Sequence, residues 1–198
     1  MDVDFGGYNI GMERGGVVVL RDHDARWAPC FRCVAAVIRT TLEPYKMELH
    51  HIGSTSIPGI KAKPILDILG LVEDIEAFER QHPKLEQLGF VWKGEYGIPG
   101  RRYCVLHNAE KTVGYLHLHT FRRTHPEADA HILFRDYLRA FDEKAKQYEK
   151  LKETLAVMYA SERDKYTSAK DTLMQTLLRE AQAWKQATDP NTRVPLSP

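Results

Sequence analysis

The stretch HIGSTSIPGIKAKPILDILGLVE (51–73) sets a Gly-Ser turn ahead of an apolar segment that contains a single acid, Asp67. A glycine lets backbone amides approach an anion with no Cβ in the way, and the hydroxyls of Ser54, Thr55 and Ser56 add donors suited to phosphate oxygens. A carboxylate inside an apolar strand needs a cation, a metal ion or strong donors to offset its desolvation. Gly53, Ser54 and Thr55 beside Asp67 therefore suit phosphoryl or nucleotidyl transfer, which requires an anion cradle next to a metal-binding acid. No Gly-Lys-Ser/Thr follows, so the turn is not a P-loop. Lys61 and Lys63 stand close enough in the chain to neutralise Asp67 by a plain ion pair.

Transfer of this kind normally uses a second carboxylate two residues further on, on the same strand face, to share Mg²⁺. That position is Leu69. Glu95, in KGEYGIPGRRY, is the candidate to supply the missing oxygen from a neighbouring loop. Arg101 and Arg102 open a strand, so their side chains face opposite ways and one of them can reach the pocket. His117 and His119 are two apart on a strand and share a face, where imidazoles can hold a phosphate, act as acid and base, or bind metal with a third ligand such as His107 or Asp67. Arg135 and Arg139 share a helix face, with Asp136 and Tyr137 turned elsewhere, and could close over the anion. The four-residue spacing recurs in Tyr148/Lys152 and Tyr166/Lys170, for which a solvated helix face is the simplest account. Cys30 and Cys33 form one CxxC without a second, which reads as small core residues.

These groups need elements to position them. VVVL (17–20) is a short β-branched run. Residues 25–45 carry Trp27, Phe31, Val34, Ile38 and Leu42 at helical spacing, ended by Pro44. Strands follow at 46–52 and 65–72, the latter apolar enough to be buried on both faces. A helix over 75–89 ends at Gly89, and strands are expected at 90–93, 101–107 and 112–121. From about Pro126 the pattern turns helical. Phe134, Leu138 and Phe141 are placed to pack on the sheet, and Ser161 with Asp164 resembles a capping box. The sum is an α+β fold with a mixed β-sheet, flanking helices and a C-terminal helical layer. Residues 17–187 make one domain between loose tails at 1–16 and 188–198.

The 198 residues are 43% hydrophobic, enough for one real core. With 28 basic and 27 acidic side chains, bulk charge favours neither nucleic acid nor membrane. Three cysteines, no signal-like start and no apolar run of about 18 residues point to reduced thiols and a cytoplasmic protein without membrane contact.

HIGSTSIPGIKAKPILDI, GEYGIPGRRY, the LHLH strand, LFRDYLR, YEKLK and YTSAK, in that order, resemble the GrpB family across roughly residues 17 to 180. The resemblance implies the fold of the DNA polymerase β-like nucleotidyltransferases. It makes Gly53 and Ser54 the match to that superfamily's Gly-Ser element and Asp67 the match to its first metal-binding acid. It also raises Tyr166 and Lys170 to candidate substrate contacts. The implied activity is transfer of a nucleotidyl or phosphoryl group from a nucleotide or another phosphorylated small molecule, with Mg²⁺ as cofactor and Asp67, Glu95 and His119 as the catalytic candidates. Gly53, Ser54, Thr55, Lys63, Arg101, Arg102, His117, Arg135, Arg139, Tyr166 and Lys170 are the candidates for holding substrate. Leu69 departs from the superfamily pattern and leaves room for a binding module that has lost the chemistry. A third reading is an RNA-dependent aminoacyl transferase, since some fungal proteins resembling the family are thought to make arginine-containing cyclodipeptides from charged tRNA. That reading needs a basic stripe, which evenly spread Lys and Arg support weakly.

Overall fold

In a computed structural model, residues 17–107 and 114–188 are described. The expected tails, apart from Thr188, lie outside these residues, as do the first two positions of the strand expected at 112–121. Helix α1 (Trp27–Leu42) buries Trp27, Cys30, Val34, Ile38 and Leu42, a stripe at the expected spacing, and stops before the Glu43-Pro44 bond. Strand β1 (Glu48–Ile52) leads through a 3₁₀ turn (Ser54–Ser56) to β2 (Leu66–Val72). Two short helices, α2 (Ile75–Glu79) and α3 (His82–Gln87), precede β3 (Phe90–Trp92), β4 (Arg102–His107) and β5 (Gly114–Arg122). The C-terminal layer holds α4 (Pro126–Ala140), α5 (Asp142–Met158), α6 (Arg163–Ser168) and α7 (Asp171–Thr188).

The five strands lie in the order β1-β2-β5-β4-β3, with β2 and β5 parallel and the other neighbours antiparallel. This is the α+β architecture with a mixed sheet. Alternation along the strands separates two faces. Leu66, Ile68, Leu116, Leu118, Cys104 and Leu106 join the α1 stripe, Phe78 and Leu85 in the main core. Leu69, Leu71 and Phe121 point the other way and meet Ala128 and Ile132 of α4. Parallel register sets Asp67 beside His117 and Leu69 beside His119 on that second face.

The β-branched run VVVL forms no strand: Val18 donates its N–H to Ala160 O and packs with Leu155 and Tyr166, leaving one bridge between Arg21 and Ala62. Three local expectations are corrected. The 75–89 helix divides because Pro83, lacking an N–H, suits the first turn of a new helix rather than the middle of a continuing one. Glu162, not Ser161, precedes α6 and makes no side-chain cap, and the final helix is broken into α6 and α7. Phe134 and Leu138 pack with Tyr148, Leu177 and Ala181 of the neighbouring helices instead of the sheet, while Phe141 stays exposed. Among the described residues no helix is long and apolar enough to cross a membrane.

Candidate functional site

Gly53 sits at φ 68°, ψ −176°, a backbone conformation open essentially to glycine alone. A Cβ built there would collide with Oδ2 of Asp67 and lie 3.0 Å from that residue's Cβ and Cγ. The glycine thus accommodates the carboxylate itself. Of the three hydroxyls, two serve the turn: Thr55, 2% exposed, donates to Ile65 O at 3.0 Å and accepts from His51 Nε2, and Ser56 Oγ donates to Gly53 O at 2.6 Å. Thr55 is therefore removed from the expected phosphate donors. Ser54 remains, close to the Tyr148 phenol of α5, which donates to Met174 Sδ at 3.9 Å.

Asp67 Oδ1 lies 3.1 Å from His117 Nδ1 and 3.7 Å from His119 Nε2. Burial pushes the Asp67 carboxyl up, but the two imidazoles outweigh it and hold the group below its ordinary range, so it is ionised. Burial pushes His119 down against the pull of Asp67, which leaves that ring neutral at pH 7. Tyr103 packs under both imidazoles, with ring centroids 5.7 and 4.9 Å away. Arg101, 6% exposed, stacks on Tyr103 at 4.7 Å and donates from Nε to Glu95 O at 3.1 Å and from Nη2 to Tyr96 O at 2.6 Å. Its Nη1 stands 3.4 Å from His119 Nδ1.

Arg102 turns away as strand alternation requires, pairing with Glu79 at 2.7 Å. Glu95 is not grouped with Asp67: its Oε1 accepts from Gly100 N at 2.6 Å and lies 3.6 Å from Arg102, stapling its own loop. Arg135 donates to His51 O at 3.1 Å and Arg139 to Ser56 O at 2.9 Å, so both clamp the β1–β2 connection from α4. Asp136 is not turned away from them, lying 2.7 Å from Arg135 and 4.0 Å from Arg139. Lys61 pairs with Glu153 at 2.5 Å rather than with Asp67.

The helical layer closes the cleft with basic groups. Lys63 Nζ and Lys170 Nζ lie 5.1 and 4.6 Å from the ring centre of buried Tyr166. Lys152, 2% exposed, stands 4.8 Å over the Tyr148 ring and donates to Lys61 O. The solvated face expected for Tyr148 and Lys152 is thus an interior one. Burial pushes the Lys152 ammonium down to about 7, with Lys170 and Lys63 adding to the effect and Glu149 and Glu153 opposing it. Burial also lowers Lys170, against the attraction of Asp67.

Sequence reasoning also missed His131, whose ring on α4 lies 5.8 Å from His119 and which burial pushes down to about 4. Its spacing of four from Arg135 was the available signal. His107 is not part of the Asp67 group, which consists of Asp67, His117 and His119 with ligand atoms within 4.8 Å of one another. Cys30 and Cys33 are free and belong to α1, against the opposite face of the sheet.

A mixed sheet with one carboxylate and two imidazoles on one face, closed by a basic helical layer, defines an α+β protein with a polar cleft between sheet and helices. The family model described as GrpB protein matches residues 17–180, and the chain belongs to that family. It is 37% identical over 164 residues to the UPF0157 protein YqkA of Bacillus subtilis, covering 83% of this chain but 47% of YqkA, so it spans about half that relative's length. The glutamate-rich protein GrpB of Alkalihalophilus pseudofirmus is 31% identical, with 86% of this chain and 99% of that one covered. The crystal structure of GrpB from Enterococcus faecalis superposes with a TM-score of 0.77 at 31% identity, over 84% of this chain and 99% of that one. A structure of the RNA terminal uridylyl transferase Cid1 reaches a TM-score of 0.48 at 12% identity over 67% of this chain and 41% of that one, a likeness too low to carry an argument.

The donor set is nitrogen-rich for the Mg²⁺ implied by the sequence resemblance, an ion usually held by one or two carboxylates together with waters and substrate phosphates. Here Asp67 is the one carboxylate of the group, Leu69 is fully buried among Ile52, Leu71 and Phe121, and the remaining donors are imidazole nitrogens.

Proposed function

We propose that the cleft binds a nucleotide or another phosphorylated small molecule and transfers a nucleotidyl or phosphoryl group from it. The observation that supports this most is the gathering of Lys63, Lys152 and Lys170 over Tyr148 and Tyr166, beside Ser54 and on the Asp67 side of the sheet. Like charges brought together at one buried position, Lys152, and two half-buried ones repel and lose hydration, a cost that an anion placed among them offsets.

In this reading the lysines hold the outer phosphates and Ser54 donates to the phosphate nearest the turn. Tyr148 and Tyr166 present rigid rings that fix the lysine stems. Asp67, ionised and hydrogen-bonded, orients an attacking hydroxyl, whose proton passes to solvent, while neutral His119 offers an N–H toward the reacting group. Arg101 keeps His119 in place and acts as a positioning residue.

A second reading, binding without turnover, draws on Leu69, whose burial leaves the group with a single acid. The test is thermal unfolding of the full chain with ATP, CTP, GTP, UTP or tripolyphosphate, in EDTA, followed by product analysis with Mg²⁺ or Zn²⁺ restored. A ligand at 100-fold excess over its Kd stabilises by about 2.7 kcal/mol. Under the proposal at least one of these raises Tm, and Lys170→Met removes the rise. A flat response to every anion overturns both readings, and a rise without turnover selects the second.

A further inference from the structure

We propose that Asp67, His117 and His119 form a site for one divalent transition-metal ion of the Zn²⁺ type, in preference to Mg²⁺. Imidazole nitrogen suits borderline metals, whereas Mg²⁺ selects oxygen. Two histidines and one carboxylate, with the fourth position left for water or substrate, is a donor set for such an ion. Tetrahedral coordination with bonds of about 2.0–2.1 Å requires donor separations near 3.3 Å. The separations from Asp67 Oδ1 are 3.1 Å to His117 Nδ1 and 3.7 Å to His119 Nε2, and all three ligand atoms fall within 4.8 Å of one another. The two separations from Asp67 are thus within a few tenths of an ångström of that value, and rotamer changes at the two histidines close the third. The side chains are 29%, 13% and 15% exposed for Asp67, His117 and His119, enough for an ion to enter from the cleft.

The scaffold holds the set rigidly. Asp67 and His117 are register partners on neighbouring parallel strands, His119 follows on the same face, and Asp67 is wedged against Gly53. Arg101 bears on affinity. Its Nη1 faces His119 Nδ1 at 3.4 Å, whereas ligation through Nε2 places the ring proton on Nδ1, toward that donor. Metal-bound histidines usually give this proton to an acceptor. The opposition is mild, because Arg101 keeps its shorter bonds to Glu95 O and Tyr96 O, and it sets the affinity below that of a structural zinc site.

The inference rests on the group-transfer reading only for what the ion would do there. Its test contains no nucleotide, so failure of either one leaves the other standing. The EDTA-stripped full chain is titrated with Zn²⁺, Mn²⁺ and Mg²⁺ by calorimetry. The expected result is one equivalent of Zn²⁺ bound at least about 100-fold more tightly than Mg²⁺, with Mn²⁺ closer to Mg²⁺. Asp67→Asn and His117→Gln each weaken that binding at least about tenfold while far-UV circular dichroism stays unchanged. Co²⁺ titration of the unaltered chain provides a readout independent of any variant: d–d bands of nitrogen and oxygen ligation, without sulfur-to-metal charge transfer. Mg²⁺ binding as tight as Zn²⁺, Zn²⁺ binding indifferent to both substitutions, or a thiolate band assigning the ion to the cysteines would each overturn the proposal.

Discussion

On the sheet side of the cleft each charged group meets its complement. Asp67 faces two imidazoles, Arg101 is spent on two carbonyls and the Tyr103 ring, and Arg102 reaches Glu79. On the helical side burial works against charge, with Lys170 lowered beside the Tyr166 ring and Lys152 losing hydration beside that of Tyr148. The sheet side is thus satisfied before any substrate arrives, and the helical side carries a cost that an anion offsets. Binding belongs to the helices and orientation to the sheet.

The contrast can be broken most severely at Gly53. Gly53→Ala drives a Cβ into the Asp67 carboxylate at a backbone conformation costing about 1–3 kcal/mol for other residues, and displacing Asp67 adds to it. Urea unfolding is expected to show a loss at the top of that range or beyond, together with loss of any nucleotide-induced shift.

Lys152→Met probes the helical side. The folded value of about 7 lies below the ordinary 10.5, so the unfolded chain binds more protons between those limits and stability rises with pH there. Lys152 contributes at most about 1.4 kcal/mol per pH unit to that slope. Stability curves measured across the window should be flatter for Lys152→Met; identical slopes in the two proteins would contradict the interior placement.

A smaller loss is expected for Arg101→Lys, which keeps the charge but forfeits the fork to Glu95 O and Tyr96 O. About 1–3 kcal/mol of stability should go, with nucleotide affinity reduced less than in Lys170→Met, because Arg101 positions and does not clamp. The smallest effect belongs to Lys61→Gln. Its pair with Glu153 is about two-fifths exposed on each side, so Tm should hardly change, with nucleotide binding unchanged.

Much of the sheet side was legible in the sequence, since strand periodicity alone puts His117 with His119 and separates Arg101 from Arg102. The Gly-Ser turn, the buried strand around Asp67 and the α+β plan follow from equally local signals. What escaped depends on packing between distant segments. Thr55 is lost to phosphate because Ile65 O lies beneath it, and Glu95 because the 95–100 loop folds back on itself. Lys152 looks solvated by spacing, yet the 57–63 segment covers its helix and leaves it a carbonyl and a ring as partners. His131 joins the site only because α4 crosses over β5.

The central claim, that the helical lysines bind the phosphates, is tested most directly by calorimetric titration of ATP and tripolyphosphate into the full chain with EDTA. The titration is run near neutral pH in two buffers of different ionisation enthalpy. An anion beside Lys152 restores its proton, so binding should take up a fraction of a proton per site, an uptake that disappears in Lys152→Met. Absence of binding, or binding of the same affinity and proton count in Lys152→Met and Lys170→Met, would contradict the account.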